Sequence, residues 1–121
     1  MMGPDGARRK TPRAVLGGAA LTARIAEQLR RFGWDVQTAT TTDEAVTLAL
    51  EANPTAVVLP VEAEDGESGY LTCAKLRRVR PRVKLVLVGD GPTAKDQRLA
   101  GFVGATLVGE AVAADEVAKL A

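Results

Sequence analysis

Five short strand-like segments, four of them aliphatic runs and the second mixed, each followed by a stretch with helical character, constrain this chain more than any other feature. The segments are Arg13-Ala14-Val15-Leu16, Trp34 to Thr38, Ala56-Val57-Val58-Leu59, Lys84-Leu85-Val86-Leu87-Val88 and Thr106-Leu107-Val108. The four aliphatic ones read as buried strands, and Trp34 to Thr38 as strand two beside them. After the first, Leu21, Ile25, Leu29 and Phe32 recur at the spacing of one helical face, with Arg24, Glu27, Gln28, Arg30 and Arg31 largely on the other. Strict alternation of strand and helix implies one parallel sheet with helices on both faces. The expected architecture is a (βα)5 three-layer sandwich around a five-stranded parallel sheet, with its functional edge at the carboxyl ends of the strands.

The punctuation between these segments agrees with that order. Gly17-Gly18 stops the first strand, and Gly33 stands where a helix C-cap glycine belongs. Thr41 or Thr42 can cap the second helix, with Asp43 and Glu44 in its first turn. Val46, Ala49 and Leu50 give that helix an apolar face, and Asn53-Pro54 ends it. The third helix is expected from Tyr70 to Val79, with Cys73 and Leu76 inward and Pro81 closing it. The fourth runs from Ala94 to Val103, capped by Gly104, and the fifth from Ala113 to Ala121.

Length and composition narrow the function. A chain of 121 residues is one domain and can bury a core without staples. Aromatics make up only 3 %, so Val, Leu and Ala must build that core. A formal net charge of +1 gives no global field to attract nucleic acid or an anionic membrane. The single cysteine, Cys73, excludes an internal disulfide and fits a cytoplasmic protein. The absence of histidine removes the commonest general base and the usual imidazole metal ligand. No apolar run approaches the length of a membrane helix, and Arg8-Arg9-Lys10 is not followed by a signal-type stretch. Residues 1–12 read as a disordered tail or an expression remnant, and 13–121 as the folded domain.

Four stretches carry a resemblance to a known family. Gly33-Trp34-Asp35-Val36-Gln37-Thr38-Ala39 with Asp43-Glu44-Ala45-Val46 is one, and Pro54-Thr55-Ala56-Val57-Val58-Leu59 is another. Gly69 to Arg77 and Gly104-Ala105 complete the set. In this order and near this spacing they resemble the receiver domain of two-component response regulators. The resemblance covers about residues 13–121 and implies the flavodoxin-like fold of that family, in the bacterial cytoplasm.

The positions that carry receiver chemistry are a different matter. Where the family holds a divalent cation with an acidic pair after strand one, this chain has Leu16-Gly17-Gly18. Where the family has its phosphate-accepting aspartate, this chain has Pro60. Gly89 replaces the Thr or Ser after strand four, and Gly109 or Glu110 replaces the lysine after strand five. Thr106 and Leu107 are the candidates for the missing switch aromatic. Phosphoryl transfer to a carboxylate needs the nucleophile, a bridging cation and fixed positive groups around the transition state. We therefore expect no catalytic residue, no metal and no cofactor.

Other features have plainer readings beside their sharper ones. Gly17-Gly18 lacks the spacing of a phosphate-binding turn and reads as a tight strand-to-helix turn. The sharper readings of Glu62, Glu64, Asp65 and Glu67 are a metal site or a displaced acceptor, but their spacing does not match a calcium loop, and they read as a solvated loop, or as a surface for a basic partner. Arg77, Arg78, Arg80, Arg82 and Lys84 read as a solvated helix end, with an acidic protein partner as the alternative. No aromatic interleaves with them as nucleic-acid binding would want. Cys73 reads as a buried, inert thiol, and Trp34 as partly exposed or packed beside strand two.

The expected function is that of a pseudo-receiver, an interaction module of bacterial signal transduction that works without phosphorylation. Its partner is another signalling protein or a second copy. The expected face is formed by helix four, strand five and helix five, with Leu99, Phe102, Val103, Thr106 and Leu107 in or near it and core packing as the safer reading of Leu107. No nucleic acid or membrane partner is expected. The alternative is a small-ligand, nucleotide-type sensor that uses the vacated corner, where Gly17, Gly18, Gly89 and Gly91 let a ligand approach the backbone. An enzyme of Rossmann type is disfavoured for want of a general base or nucleophile at the strand ends. The short final helix leads us to expect that the natural protein continues past Ala121 into a further domain.

Overall fold

A computed structural model describes residues 11–61, 68–89 and 93–120; of residues 19–22 it describes the backbone alone. Five strands, β1 (Arg13–Gly17), β2 (Asp35–Ala39), β3 (Ala56–Pro60), β4 (Lys84–Val88) and β5 (Ala105–Val108), form one sheet in the order β2-β1-β3-β4-β5. Every pair is parallel. The helices are α1 (Ala19–Arg31), α2 (Thr42–Ala52), α3 (Gly69–Val79), α4 (Ala94–Phe102) and α5 (Ala113–Ala118). A single 3-10 turn, Glu110–Val112, leads into α5.

Burial follows from the position of each strand. The central strands β1, β3 and β4 are buried at nearly every residue, because helices cover both faces. The edge strands β2 and β5 leave residues exposed. Alternate residues of each strand point to opposite sides and so divide the core in two. Ala14, Leu16, Val58, Val86 and Val108 meet Ile25 and Leu29 of α1 and Ala113 and Val117 of α5. Val15, Val57, Leu59, Leu87 and Leu107 meet Ala45 and Ala49 of α2, Cys73 and Leu76 of α3, and Ala100 of α4. The three-layer (βα)5 sandwich expected from the sequence is the observed fold.

Several details differ from the sequence expectation. Phe32 is not part of the inward stripe of α1: it is the C-cap residue and is 55 % exposed. The helix has already turned at that point, since Gly33 takes φ 92° and Trp34 donates its N–H to the Leu29 carbonyl (3.0 Å). That turn drives Trp34 into the core beside α1, 5 % exposed and one residue ahead of β2. In α2 the inward residues are Ala45 and Ala49, whereas Leu50 points outward at 39 % exposure. The helix α5 ends at Ala118, three residues short of the expected end. The sequence-predicted tail falls mostly in residues 1–10, and the acidic loop 62–67 and residues 90–92 also lie outside the described residues.

Candidate functional site

The carboxyl ends of β1, β3, β4 and β5 bring Gly17, Gly18, Pro60, Gly89 and Gly109 to one edge of the sheet. Pro60 is the last residue of β3, a central strand in which proline is normally excluded. The register explains why it is tolerated. Val61 donates its N–H to Val88 O of β4 (3.0 Å), so the nitrogen of the preceding residue faces β1. By that level β1 has left the ladder: its pairing with β3 ends at Leu16↔Val58, and Gly18 donates instead to Ala39 O of β2 (3.1 Å). The N–H that proline lacks therefore has no partner to lose.

The glycines then pack against what replaces the acceptor. Gly18 has φ 99°, and a Cβ there would stand 3.2 Å from Cγ of Pro60. Gly89 lies under the Val61 side chain, whose Cγ2 would stand 3.0 Å from an added Cβ. Gly17 has no room either, because a Cβ would press on Ala45 and Leu59 at 2.9 Å. Gly109 alone of the four faces open space. Next to it, Glu110 pairs with Arg24 of α1 (3.6 Å), so a carboxylate stands beside the place where the resemblance calls for an ammonium group. Among the described residues no group of His, Cys, Asp and Glu could hold a metal ion. A ring and an isopropyl group thus occupy the approach to Gly18 and Gly89, and the nucleotide-sensor expectation draws no support from this packing.

Beyond the corner, a polar tether joins α3 to α4. The Tyr70 hydroxyl donates to Asp96 Oδ1 (3.1 Å). Asp96 also accepts from the Thr93 N–H (2.9 Å) and hydroxyl (3.0 Å), while its own N–H donates to the Thr93 oxygen (3.2 Å), a capping box at the start of α4. The Thr93 bonds, backbone first, and then the Tyr70 bond hold the Asp96 carboxyl below the usual carboxylate range. Burial, followed by the bond to Asp96 and its charge, raises the Tyr70 phenol. The Thr93-x-x-Asp96 spacing was a readable signal of this cap. The tether to Tyr70, 26 residues away, had none.

The interaction-face residues separate by exposure. Phe102, the last residue of α4, is 85 % exposed, and Thr106 of β5 is exposed as well. Leu99 and Val103 are half-buried. Leu107 is 8 % exposed and packs into the α2/α3/α4 core, because its place in β5 points it under the helices, so it is not a surface residue. The basic run also departs from the expectation of a solvated helix end. Arg77 donates to the carbonyls of Pro81 (2.6 Å), Val83 (3.0 Å) and Gly104 (2.5 Å). Arg80 donates to Leu50 O of α2 (2.7 Å). Arg78, Arg82 and Lys84 are exposed.

Comparison with solved structures gives the class of this fold: it is that of the CheY-like response-regulator receiver domains. A response regulator receiver domain protein from Methanospirillum hungatei JF-1 superposes with a TM-score of 0.78 at 16 % identity, over 92 % of this chain and 94 % of that one. The chemotaxis protein CheY4 of Vibrio cholerae gives 0.81 at 13 % identity, over 93 % and 100 %. The signal receiver domain of the putative response regulator NarL from Mycobacterium tuberculosis gives 0.77 at 18 % identity, over 91 % and 92 %. No protein-family model matches the chain, and no curated protein matches it in sequence. Among the described residues no helix is long and apolar enough to cross a membrane.

Proposed function

We propose that this chain is a pseudo-receiver, a cytoplasmic interaction module of bacterial signal transduction that works without accepting a phosphoryl group. The observation that carries the reading is the Pro60 ring seated against Gly18 at the strand ends. A receiver needs a carboxylate nucleophile there and acids on the neighbouring strand to hold its cation. A ring carbon cannot attack phosphorus, and Gly17 and Gly18 offer a cation no side-chain oxygen. The switch by which phosphorylation would reset α4, β5 and α5 then has no input.

The same face remains available for a partner, another signalling protein or a second copy. Phe102 is its anchor, since a phenyl ring at 85 % exposure is the largest apolar group α4 offers to a neighbour. No catalysis is assigned to the chain. Incubation with acetyl phosphate and magnesium, followed by intact-mass spectrometry, tests the first claim. The expected result is no added phosphoryl group, and stoichiometric addition would defeat the reading. Phe102→Ser tests the second. It should leave the melting temperature unchanged and weaken partner capture or self-association.

A further inference from the structure

The opposite end of the sheet, where the strands begin, carries a second surface independent of the reading above. The turn from α2 to β3 and the turn from α3 to β4 enclose a groove of about 360 Å³. Pro54, Val79, Pro81 and Val83 give it an apolar lining, with Arg80 and Arg82 at its walls and no carboxylate among its lining residues. Val79 is 52 % exposed. Arg82 is exposed, and so are Arg78 near the end of α3 and Lys84 at the start of β4. None of these three makes an ion pair among the described residues. Arg80 is fixed by its bond to Leu50 O, and its Nε is buried without a hydrogen-bond partner. No carboxylate of the adjoining turns lines the groove itself. Asp35 is taken by Arg13 (3.2 Å), and Glu51 lies in the last turn of α2.

We infer that this groove binds an acidic segment of a partner protein, one in which glutamates or aspartates alternate with aliphatic residues. The chemistry selects that occupant. Guanidinium groups pair with carboxylates in a planar fork, and an apolar lining takes an aliphatic side chain that a purely polyanionic ligand does not possess. No aromatic lines the groove to stack a nucleic-acid base. A formal net charge of +1 conceals this local excess of cations.

Fluorescence anisotropy with the full chain tests it, using a fluorescein-labelled peptide of glutamates with interspersed leucines. The same peptide with serines for leucines, and a labelled oligothymidylate, are the comparison ligands. The leucine peptide should bind best, and Arg82→Glu and Val79→Ser should each weaken it about tenfold. Arg98→Glu, an exposed charge on α4, should leave binding unchanged. Circular-dichroism melts keep any misfolded variant out of the comparison. No binding by the folded wild type, equal loss with Arg98→Glu, or tighter binding of oligothymidylate overturns the inference. Concentration-dependent self-association abolished by Arg82→Glu would assign the groove to a second copy and overturn it as well.

Discussion

Gly18 and Pro60 fit one another as a pair: a Cβ on the glycine would stand 3.2 Å from Cγ and 3.3 Å from Cδ of the proline. The glycine also holds φ 99°, a region that L side chains rarely adopt. Both constraints act on the same residue, so Gly18→Ala should cost about 1–3 kcal/mol. Urea unfolding of the variant against the wild type measures it. A variant as stable as the parent would mean that the corner relaxes freely.

Restoring one reactive group should not restore the reaction. Pro60→Asp places a carboxylate at the end of β3, but the cation would still lack acids after β1. Intact-mass measurement after exposure to acetyl phosphate and magnesium should show no phosphoryl adduct on Pro60→Asp.

Arg77 holds three carbonyls in two different turns. Removing it leaves those acceptors without their donor, and hydrogen bonds to a charged group are each worth about 1.5–3 kcal/mol. Arg77→Ala should lower stability by about 2–4 kcal/mol after relaxation and water entry. Arg77→Lys should recover only part of the loss, since one ammonium cannot reproduce the fork. Chemical denaturation of the two variants side by side gives the ranking.

The Tyr70–Asp96 pair gives stability a dependence on pH at both extremes. The Asp96 carboxyl lies below its ordinary value of 3.8, so its contribution is present above that value and lost as pH falls through the folded one. The Tyr70 phenol lies above 10.0, so its contribution is present below that value and lost as pH rises through the folded one. Melting temperature followed against pH should therefore fall less steeply in alkali in Tyr70→Phe, where the raised Cys73 thiol still contributes, and become flatter in acid in Asp96→Asn.

Burial pushes the Cys73 thiol up to about 12, against a smaller opposing pull from the Arg77 cation. The thiolate is the reactive form, and at about pH 8 almost none is present. Ellman's reagent should react slowly with the native protein and rapidly in denaturant. Fast native labelling would show that α3 opens readily.

The sequence made the sheet legible because β1, β3, β4 and β5 are built mainly of Val, Leu and Ala beside glycine or proline stops, and β2 follows the Gly33 turn. It made the corner legible because Pro60 and Gly17-Gly18 fall at the strand ends whatever the side-chain detail. What escaped it depends on contacts between distant residues. Arg77 reaches Gly104 across 27 positions, and nothing in the local sequence of a basic helix end announces that reach. Phe32 lies outside the inward stripe, and Trp34 packs inward, because one left-handed glycine between them turns the chain. Leu50 misled through helical phase, since small alanines at 45 and 49 let α2 sit close to the sheet and leave the larger side chain outside.

The carbonyls held by Arg77 belong to the approach to β4 and the approach to β5, so a single guanidinium rivets two adjacent entries into the sheet. Neither entry can loosen without releasing the same donor that steadies the other. Slow amide exchange at Val83 and at Gly104 should then share one opening event, and the outer edge of the sheet breathes as a block rather than strand by strand.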